Sequence, residues 1–216
     1  MRKLPCLLLC LALAWASLSG LVVAEEAQFY MIQDDERMLL EGRDIFSYDS
    51  SELYTMWRAW GPADDERIGS IGLGGGEDEY PGFVALDFPF AEFGVLALAV
   101  ISEPPDPSVH GMLNGQIAQQ ANYPVVGISV HEPGAIGPLG IHVGMATKEV
   151  KALPLHYTQH PSLDEVSDDF DDWLIAYFQD INKQTGGIDT YELQVLVANG
   201  VVSYFYVMLD WVKDIY

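Results

Sequence analysis

The strongest folding signal in this chain is the stretch Tyr191-Glu-Leu-Gln-Val-Leu-Val-Ala-Asn-Gly-Val-Val-Ser-Tyr-Phe-Tyr-Val-Met-Leu209. Two runs rich in valine, leucine and aromatic residues flank Asn199-Gly200, a dipeptide that favours the type I′ turn of a two-residue β-hairpin. The sequence therefore predicts antiparallel strands over Tyr191–Val197 and Val201–Leu209.

The first half of the chain has the pattern of a helix followed by two strands. Apolar residues at helical spacing predict a helix over Ser47–Trp60, and Gly61-Pro62 ends it. Gly82–Phe88 and Phe93–Ser102 are rich in Val, Leu and Phe, which predicts two strands joined by a turn. The prolines of the following segment, Glu103–Pro107, favour an extended spacer.

The second half has the pattern of two helices before the hairpin. A short helix is predicted from Thr147 to Leu153, where Pro154 stops it. A longer helix is predicted to begin at Ser162, because Ser162-Leu-Asp-Glu has the pattern of a capping box. Its apolar residues recur at helical spacing and share one face: Val166, Phe170, Trp173, Leu174, Tyr177, Phe178 and Ile181.

Both halves have the order helix, breaker, strand, glycine-valine turn, strand. This order predicts an α+β fold of two tandem units, each with one or more helices followed by an antiparallel β-hairpin, and with the sheet packed on the helices. The predicted division is a signal peptide over 1–24, an N-terminal α+β unit over 25–103, a linker with a short helix and strand over 104–138, and a C-terminal α+β unit over 139–216. The alternative is a chance recurrence of a common arrangement, and whether the units share one sheet is left open.

The segment Gly140-Ile-His-Val-Gly-Met-Ala-Thr-Lys-Glu-Val-Lys-Ala-Leu153 resembles the SmpA/OmlA family of small outer-membrane assembly lipoproteins. That family has a glycine-methionine step into a helix, here Gly144-Met145, followed by an antiparallel hairpin. The doubled arrangement also resembles the secreted β-lactamase inhibitory proteins, which are tandem repeats of a related unit. These resemblances imply a non-enzymatic, protein-binding module, but no binding residue can be carried over from them.

The first 24 residues have the layout of a secretory signal. Arg2 and Lys3 precede an apolar run, and small residues lead up to Glu25, so cleavage is predicted after Ala24. If the segment is not cleaved, it is just long enough to anchor the chain in a membrane. A lipoprotein cut at Cys10 is a further alternative. Both cysteines of the chain lie in this segment, so the cleaved form has no thiol. The predicted location is secreted or periplasmic, in a bacterial cell envelope.

The chain is acidic, with 32 Asp and Glu against 10 Lys and Arg and a formal net charge of −22. Its hydrophobic fraction of 50% excludes a disordered chain and allows a full core. Nucleic acid is excluded as a partner, because phosphate binding needs clustered Lys and Arg. The charge instead favours a protein partner with a basic surface.

Acidic residues crowd the start of the longer predicted helix. Asp164, Asp168, Asp171 and Asp172 are candidate binding residues, as a patch that steers a basic partner. The alternative is a solvated helix face, since acids near a helix N-terminus interact favourably with the helix dipole. A calcium loop of the familiar kind is excluded, because its alternating Asp pattern and central glycine are absent.

Tyr204, Tyr206 and Trp211 are further candidate binding residues. Strand alternation places Tyr204 and Tyr206 on one face of the sheet and Phe205 on the other. Tyrosine and tryptophan are enriched among the residues that dominate binding energy at protein interfaces, so an open face of this kind favours protein binding. The alternative is that another element covers the face.

His156 and His160 are four residues apart, which is the spacing of two metal ligands on one face of a helix. With a carboxylate such as Asp164, they indicate a metal-binding protein or a metal-dependent hydrolase. No glutamate lies between them to act as a base, and prolines bracket the segment, which favours the alternative of a connecting turn.

The sequence contains no complete catalytic set. The glycine-rich segment 69–76 lacks the Gly-Lys-Ser/Thr end of a phosphate loop, and Ser70 does not lie in a Gly-x-Ser-x-Gly motif. The prediction is therefore an exported, non-enzymatic protein-binding module, inhibitor-like or involved in envelope assembly, without a cofactor. The alternative is a metal site at His156 and His160, and enzymatic activity is left open.

Overall fold

The structure of the chain, a computed structural model, describes residues 29–60, 69–73, 82–101, 116–119, 122–160, 170–182 and 185–210. The predicted signal peptide, the spacer Glu103–Pro107 and the capping box at Ser162 lie outside these residues. Within the described ranges, no helix is long and apolar enough to cross a membrane.

Strands dominate the described part of the chain. In chain order they are β1 (Tyr30–Met31), β2 (Leu39–Leu40), β3 (Arg43–Asp44), β4 (Gly69–Leu73), β5 (Gly82–Pro89), β6 (Phe93–Ile101), β7 (Val125–Val130), β8 (Thr158–Gln159), β9 (Asp172–Ile181), β10 (Ile188–Ala198) and β11 (Val201–Leu209). The α-helices with assigned bounds are α1 (Ser50–Trp60) and α2 (Thr147–Val150), and 3₁₀ turns occur at Asp34–Glu36, Ile45–Ser47 and Pro138–Gly140.

Nine of these strands form one sheet, in the order β1-β9-β10-β11-β7-β6-β5-β4, with β8 also paired to β9. The β1–β9 pair is parallel and the other pairs are antiparallel. β7 lies between β11 and β6, so strands from both halves of the chain share a single sheet. The predicted α+β fold of two tandem helix-plus-hairpin units packed on helices is therefore wrong, because the described chain is mostly β.

The largest local error concerns the longer predicted helix. Its second half is strand β9, which pairs with β10 along its whole length. Leu174, Ala176 and Phe178 are buried at every second position, although the apolar residues of this segment also satisfy helical spacing. Pairing with β10 decides between the two periods, since it satisfies the backbone groups of β9 and packs its aromatic and aliphatic side chains beside those of a neighbour.

The helix of the first half, two strands and the hairpin turn are confirmed close to their predicted positions. α1, β5 and β6 begin and end within a few residues of their predicted bounds. In the β10–β11 turn, Asn199 and Gly200 have φ of 54° and 76°, the left-handed values that a type I′ turn requires. α2 begins at Thr147 as predicted but already ends at Val150, and the Thr147 hydroxyl donates to the Gly200 carbonyl at 2.8 Å instead of capping the helix.

One face of the sheet, the core face, carries the apolar core. The register aligns Val195 with Phe205 and Phe205 with Val130, and all three side chains are fully buried. α1 joins this core through Trp57, whose indole N–H also donates to the Pro89 carbonyl at 3.1 Å. Burial of each large side chain contributes about 1.5–3 kcal/mol, so this face supplies much of the stability.

A buried ion pair ties the N-terminal segment to the end of β9. Arg37 Nε donates to Asp180 Oδ2 at 2.8 Å, and a second guanidinium nitrogen donates to Oδ1. Only 7% of the Arg37 side chain and 8% of the Asp180 side chain are exposed. Asp44 lies 3.4 Å from the same Nε atom and completes a buried cluster of charges. Loss of one partner would leave an uncompensated buried charge.

Candidate functional site

A cleft of about 470 Å³ lies on the second face of the sheet, opposite the core face. Strands β5, β6, β7, β10 and β11 contribute to it. Its apolar lining comes from six residues: Leu96, Ile128, Tyr204, Tyr206, Met208 and Leu209. Its polar lining comes from five: Asp87, Ser129, Glu192, Gln194 and Asp210. The volume falls in the range of about 300–1,000 Å³ that is usual for ligand sites, and the mixture of apolar and polar groups is typical of them.

Two glycines of β6 and β7, Gly94 and Gly127, lie next to residues that line the cleft. Across the β6–β7 pair, Gly94 opposes Ser129 and Gly127 opposes Leu96. A Cβ atom at Gly94 would lie 2.8 Å from Ser129 Oγ and 2.9 Å from Asp87 Oδ1, closer than real Cβ contacts. A Cβ atom at Gly127 would lie 3.3 Å from Leu96 Cδ1, so at both glycines neighbouring side chains that line the cleft already occupy the space a side chain would need.

Asp87 lies on one wall of the cleft with part of its carboxylate removed from water. Its Oδ1 atom is buried and has no hydrogen-bond partner among the described residues. Burial raises the pKa of Asp87 above its ordinary value, and the nearby charge of His131 acts in the opposite direction. A carboxylate in this state is electrostatically costly, so a cation that enters the cleft would stabilise it.

A chain of hydrogen bonds holds the opposite wall. The Trp173 indole N–H donates to Gln194 Oε1 at 2.7 Å, and the Gln194 amide donates to Glu192 Oε1. The Tyr177 hydroxyl donates to Glu192 Oε2 at 2.7 Å. Both oxygens of the Glu192 carboxylate are therefore held, and this network keeps the carboxylate in one orientation beside the cleft.

The two tyrosines predicted as binding residues lie together at the cleft. Tyr204 and Tyr206 are on the second face, whereas Phe205 is buried in the core face, as strand alternation predicts. Their ring centroids are 6.0 Å apart and the ring planes are inclined by 54°. Both side chains are half-buried, so part of each ring stays accessible beside the cleft.

The predicted acidic patch has a different role where the structure describes it. Three of the predicted binding residues lie outside the described ranges: Asp164, Asp168 and Trp211. Asp171 accepts a hydrogen bond from the Gly200 amide at 3.0 Å and so supports the hairpin turn. Asp172 begins β9 rather than lying in a helix, and its carboxylate forms an ion pair with Lys151 at 3.0 Å.

His156 and His160 flank the short strand β8, so the segment between them is extended and the helical spacing that predicted a metal site is not realised. Residues four apart in an extended chain are separated by about 13 Å. The His160 ring instead stacks on the Trp173 indole, with 3.6 Å between centroids. Within the described residues, no three His, Cys, Asp or Glu side chains are grouped in a way that could hold a metal ion.

Sequence reasoning missed Asp87, Glu192 and Gln194. Each interrupts an otherwise apolar strand, Asp87 in β5 and the other two in β10. The sequence signal that could have indicated this site is a pattern of polar residues at alternate positions of a buried strand, together with glycines inside neighbouring strands. That signal does not reveal which strands lie side by side.

No protein-family model matches the chain, and no curated protein or solved structure matches it. The resemblance of Gly140–Leu153 to the SmpA/OmlA family therefore stays a prediction.

Proposed function

We propose that this protein is an exported, non-enzymatic protein-binding module that acts in the periplasm or outside the cell. Its proposed contact surface is the second face of the sheet around the cleft. The observation that carries this proposal is the pair of half-buried tyrosines, Tyr204 and Tyr206, beside a cleft of about 470 Å³. Tyrosines next to a pocket are typical of the residues that dominate binding energy in protein interfaces, and an inhibitor-like or envelope-assembly role is compatible with such a surface.

The proposed partner has a basic surface. The chain carries a formal net charge of −22. Three carboxylates, those of Asp87, Glu192 and Asp210, line the cleft, and no described Lys or Arg lines it. Opposite charge on a partner accelerates association, and salt weakens the attraction between exposed charges.

The experiment begins with capture of partners from envelope extracts and spent medium at two salt concentrations. A captured protein is then purified and titrated against wild-type protein and variants. Tyr206→Ala is expected to weaken the complex by about tenfold or more, because a buried aromatic contact is lost. Ile188→Ala is the matched control, since Ile188 is 61% exposed and does not line the cleft.

Two results would contradict the proposal. One is a complex whose affinity is the same in Tyr204→Ala, Tyr206→Ala and Ile188→Ala. The other is robust hydrolytic turnover by the purified protein that a substitution in the cleft abolishes, because the protein would then be an enzyme.

A further inference from the structure

We propose that the cleft binds the guanidinium side chain of an arginine on the partner protein. The inference rests on the proposed function, since the partner supplies the arginine, and it names the chemistry that the cleft recognises. Three features carry it. The cleft has apolar walls, and carboxylates lie on opposite sides of it. The described Arg and Lys residues that form ion pairs do so away from the cleft.

The walls fit an arginine side chain. Tyr204 and Tyr206 present two rings 6.0 Å apart on the second face. A planar guanidinium stacks on a tyrosine face, and the methylene stem of arginine packs on apolar side chains such as Leu96 and Met208. A bare metal ion needs several oxygen, nitrogen or sulfur ligands around it, and no three His, Cys, Asp or Glu side chains of the described residues are grouped in that way.

The carboxylates on the two sides of the cleft have different roles. Glu192 has both oxygens engaged by Tyr177 and Gln194, so it contributes negative charge at a constant position. Asp87 has a buried oxygen without a hydrogen-bond partner in the described part of the chain. A guanidinium donates through several N–H groups in one plane, so it can approach the Asp87 carboxylate from the cleft and offset the charge that this buried oxygen helps to carry.

Three cations of the described residues are paired away from the cleft. Arg37 pairs with Asp180. Arg43 pairs with Glu52 at 2.7 Å. Lys151 pairs with Asp172, and no Lys or Arg of the described residues lines the cleft. Within the described residues, no Lys or Arg neutralises the carboxylates of the cleft, and His131 acts on the charge of Asp87. The cleft of the described chain therefore favours a further cation from a partner.

The test uses the purified protein and N-acetyl-arginine amide as the probe, because its ends are uncharged. N-acetyl-citrulline amide is the matched control ligand, since it has nearly the same shape without the positive charge. The side-chain NMR signals of Tyr204 and Tyr206 are followed during each titration. We expect saturable shifts with the arginine probe, and at least about tenfold weaker binding of the citrulline probe.

Variants locate the site. Asp87→Asn keeps the shape of the side chain and is expected to weaken the arginine probe by about tenfold or more. Glu41→Gln changes the net charge equally at an exposed position away from the cleft, and it is expected to alter affinity by less than about twofold. Near-UV circular dichroism verifies the fold of each variant. Tyr204→Leu serves as a second cleft variant, in which loss of the ring is expected to weaken binding.

Equal binding of the two probes, or unchanged affinity in both Asp87→Asn and Tyr204→Leu, overturns the inference. If the arginine probe fails to bind while a partner complex still depends on Tyr206, the arginine chemistry is wrong and the proposed function stands. If the probe binds but no partner protein is found, the chemistry of the cleft is supported and its source in a partner is refuted.

Discussion

Substitution of Gly137 by alanine tests how tightly the core face is packed. Gly137 precedes the 3₁₀ turn Pro138–Gly140 and has φ of −78° and ψ of −176°, which any residue can adopt. An added Cβ would lie 2.5 Å from both Cε2 and Cζ of Phe205 and 3.1 Å from Cγ2 of Ile141. The effect of this change is therefore steric rather than conformational.

The size of the effect follows from these distances. Carbon atoms in contact are ordinarily about 3.5–4.0 Å apart, so the Phe205 ring must retreat by about 1 Å. That ring is fully buried, and neighbouring core side chains block its retreat. Overpacking of this kind lowers the free energy of unfolding by about 1–3 kcal/mol. Replacing glycine by alanine raises it by about 0.4–1 kcal/mol, because alanine has fewer conformations in the unfolded chain. We expect Gly137→Ala to lower the free energy of unfolding by about 1–2 kcal/mol.

The assay is urea denaturation followed by tryptophan fluorescence. Gly187→Ala is the matched control, because its φ lies outside the left-handed region and, among the described residues, its Cβ would contact Thr185 Oγ1 alone, at 3.3 Å. This control is expected to change stability by less than about 0.5 kcal/mol. Combining Gly137→Ala with Phe205→Leu should cost less than the sum of the two single changes. A Gly137→Ala protein as stable as the wild type would refute the close packing of the Phe205 ring against Gly137.

Three further changes probe the ion pair and the cleft. Arg37→Met should lower the free energy of unfolding by about 3–5 kcal/mol in urea denaturation, because it leaves Asp180 as an uncompensated buried charge. Adding Asp180→Leu should restore part of this stability, and a loss below about 1 kcal/mol for Arg37→Met alone would contradict the buried ion pair. Because burial raises the pKa of Asp87, its ionisation opposes folding. Asp87→Asn should therefore stabilise the protein at neutral pH, and this gain should vanish in thermal melts below the ordinary aspartate range, where the carboxyl is protonated in both states. An equal gain in stability at both pH values would contradict the destabilising effect of the ionised Asp87 carboxylate. Tyr177→Phe should cost about 1–2 kcal/mol, since Glu192 Oε2 loses its donor, whereas an unchanged urea midpoint rules out that hydrogen bond.

The candidate site could be predicted from the sequence only in part. Alternation along one strand is sufficient to place Tyr204 and Tyr206 on the same face, because consecutive side chains of a strand point to opposite sides. It is not sufficient to bring Asp87 and Glu192 to that face, since these residues lie on strands separated in the sheet by β6, β7 and β11. The helix on which the alternative metal site at His156 and His160 depended is not formed, because the chain there is extended.

The sequence by itself determined the elements that depend on neighbouring residues. The type I′ turn at Asn199-Gly200, the helix that ends at Trp60 and the strands β5 and β6 all follow from turn chemistry, breakers and local side-chain pattern. Only the tertiary structure decided that Asp172–Ile181 is a strand, that both halves share one sheet, and that Arg37 pairs with Asp180 at a separation of 143 residues. The physical reason is that a strand takes its backbone partners and its buried neighbours from remote parts of the chain, which no local pattern specifies.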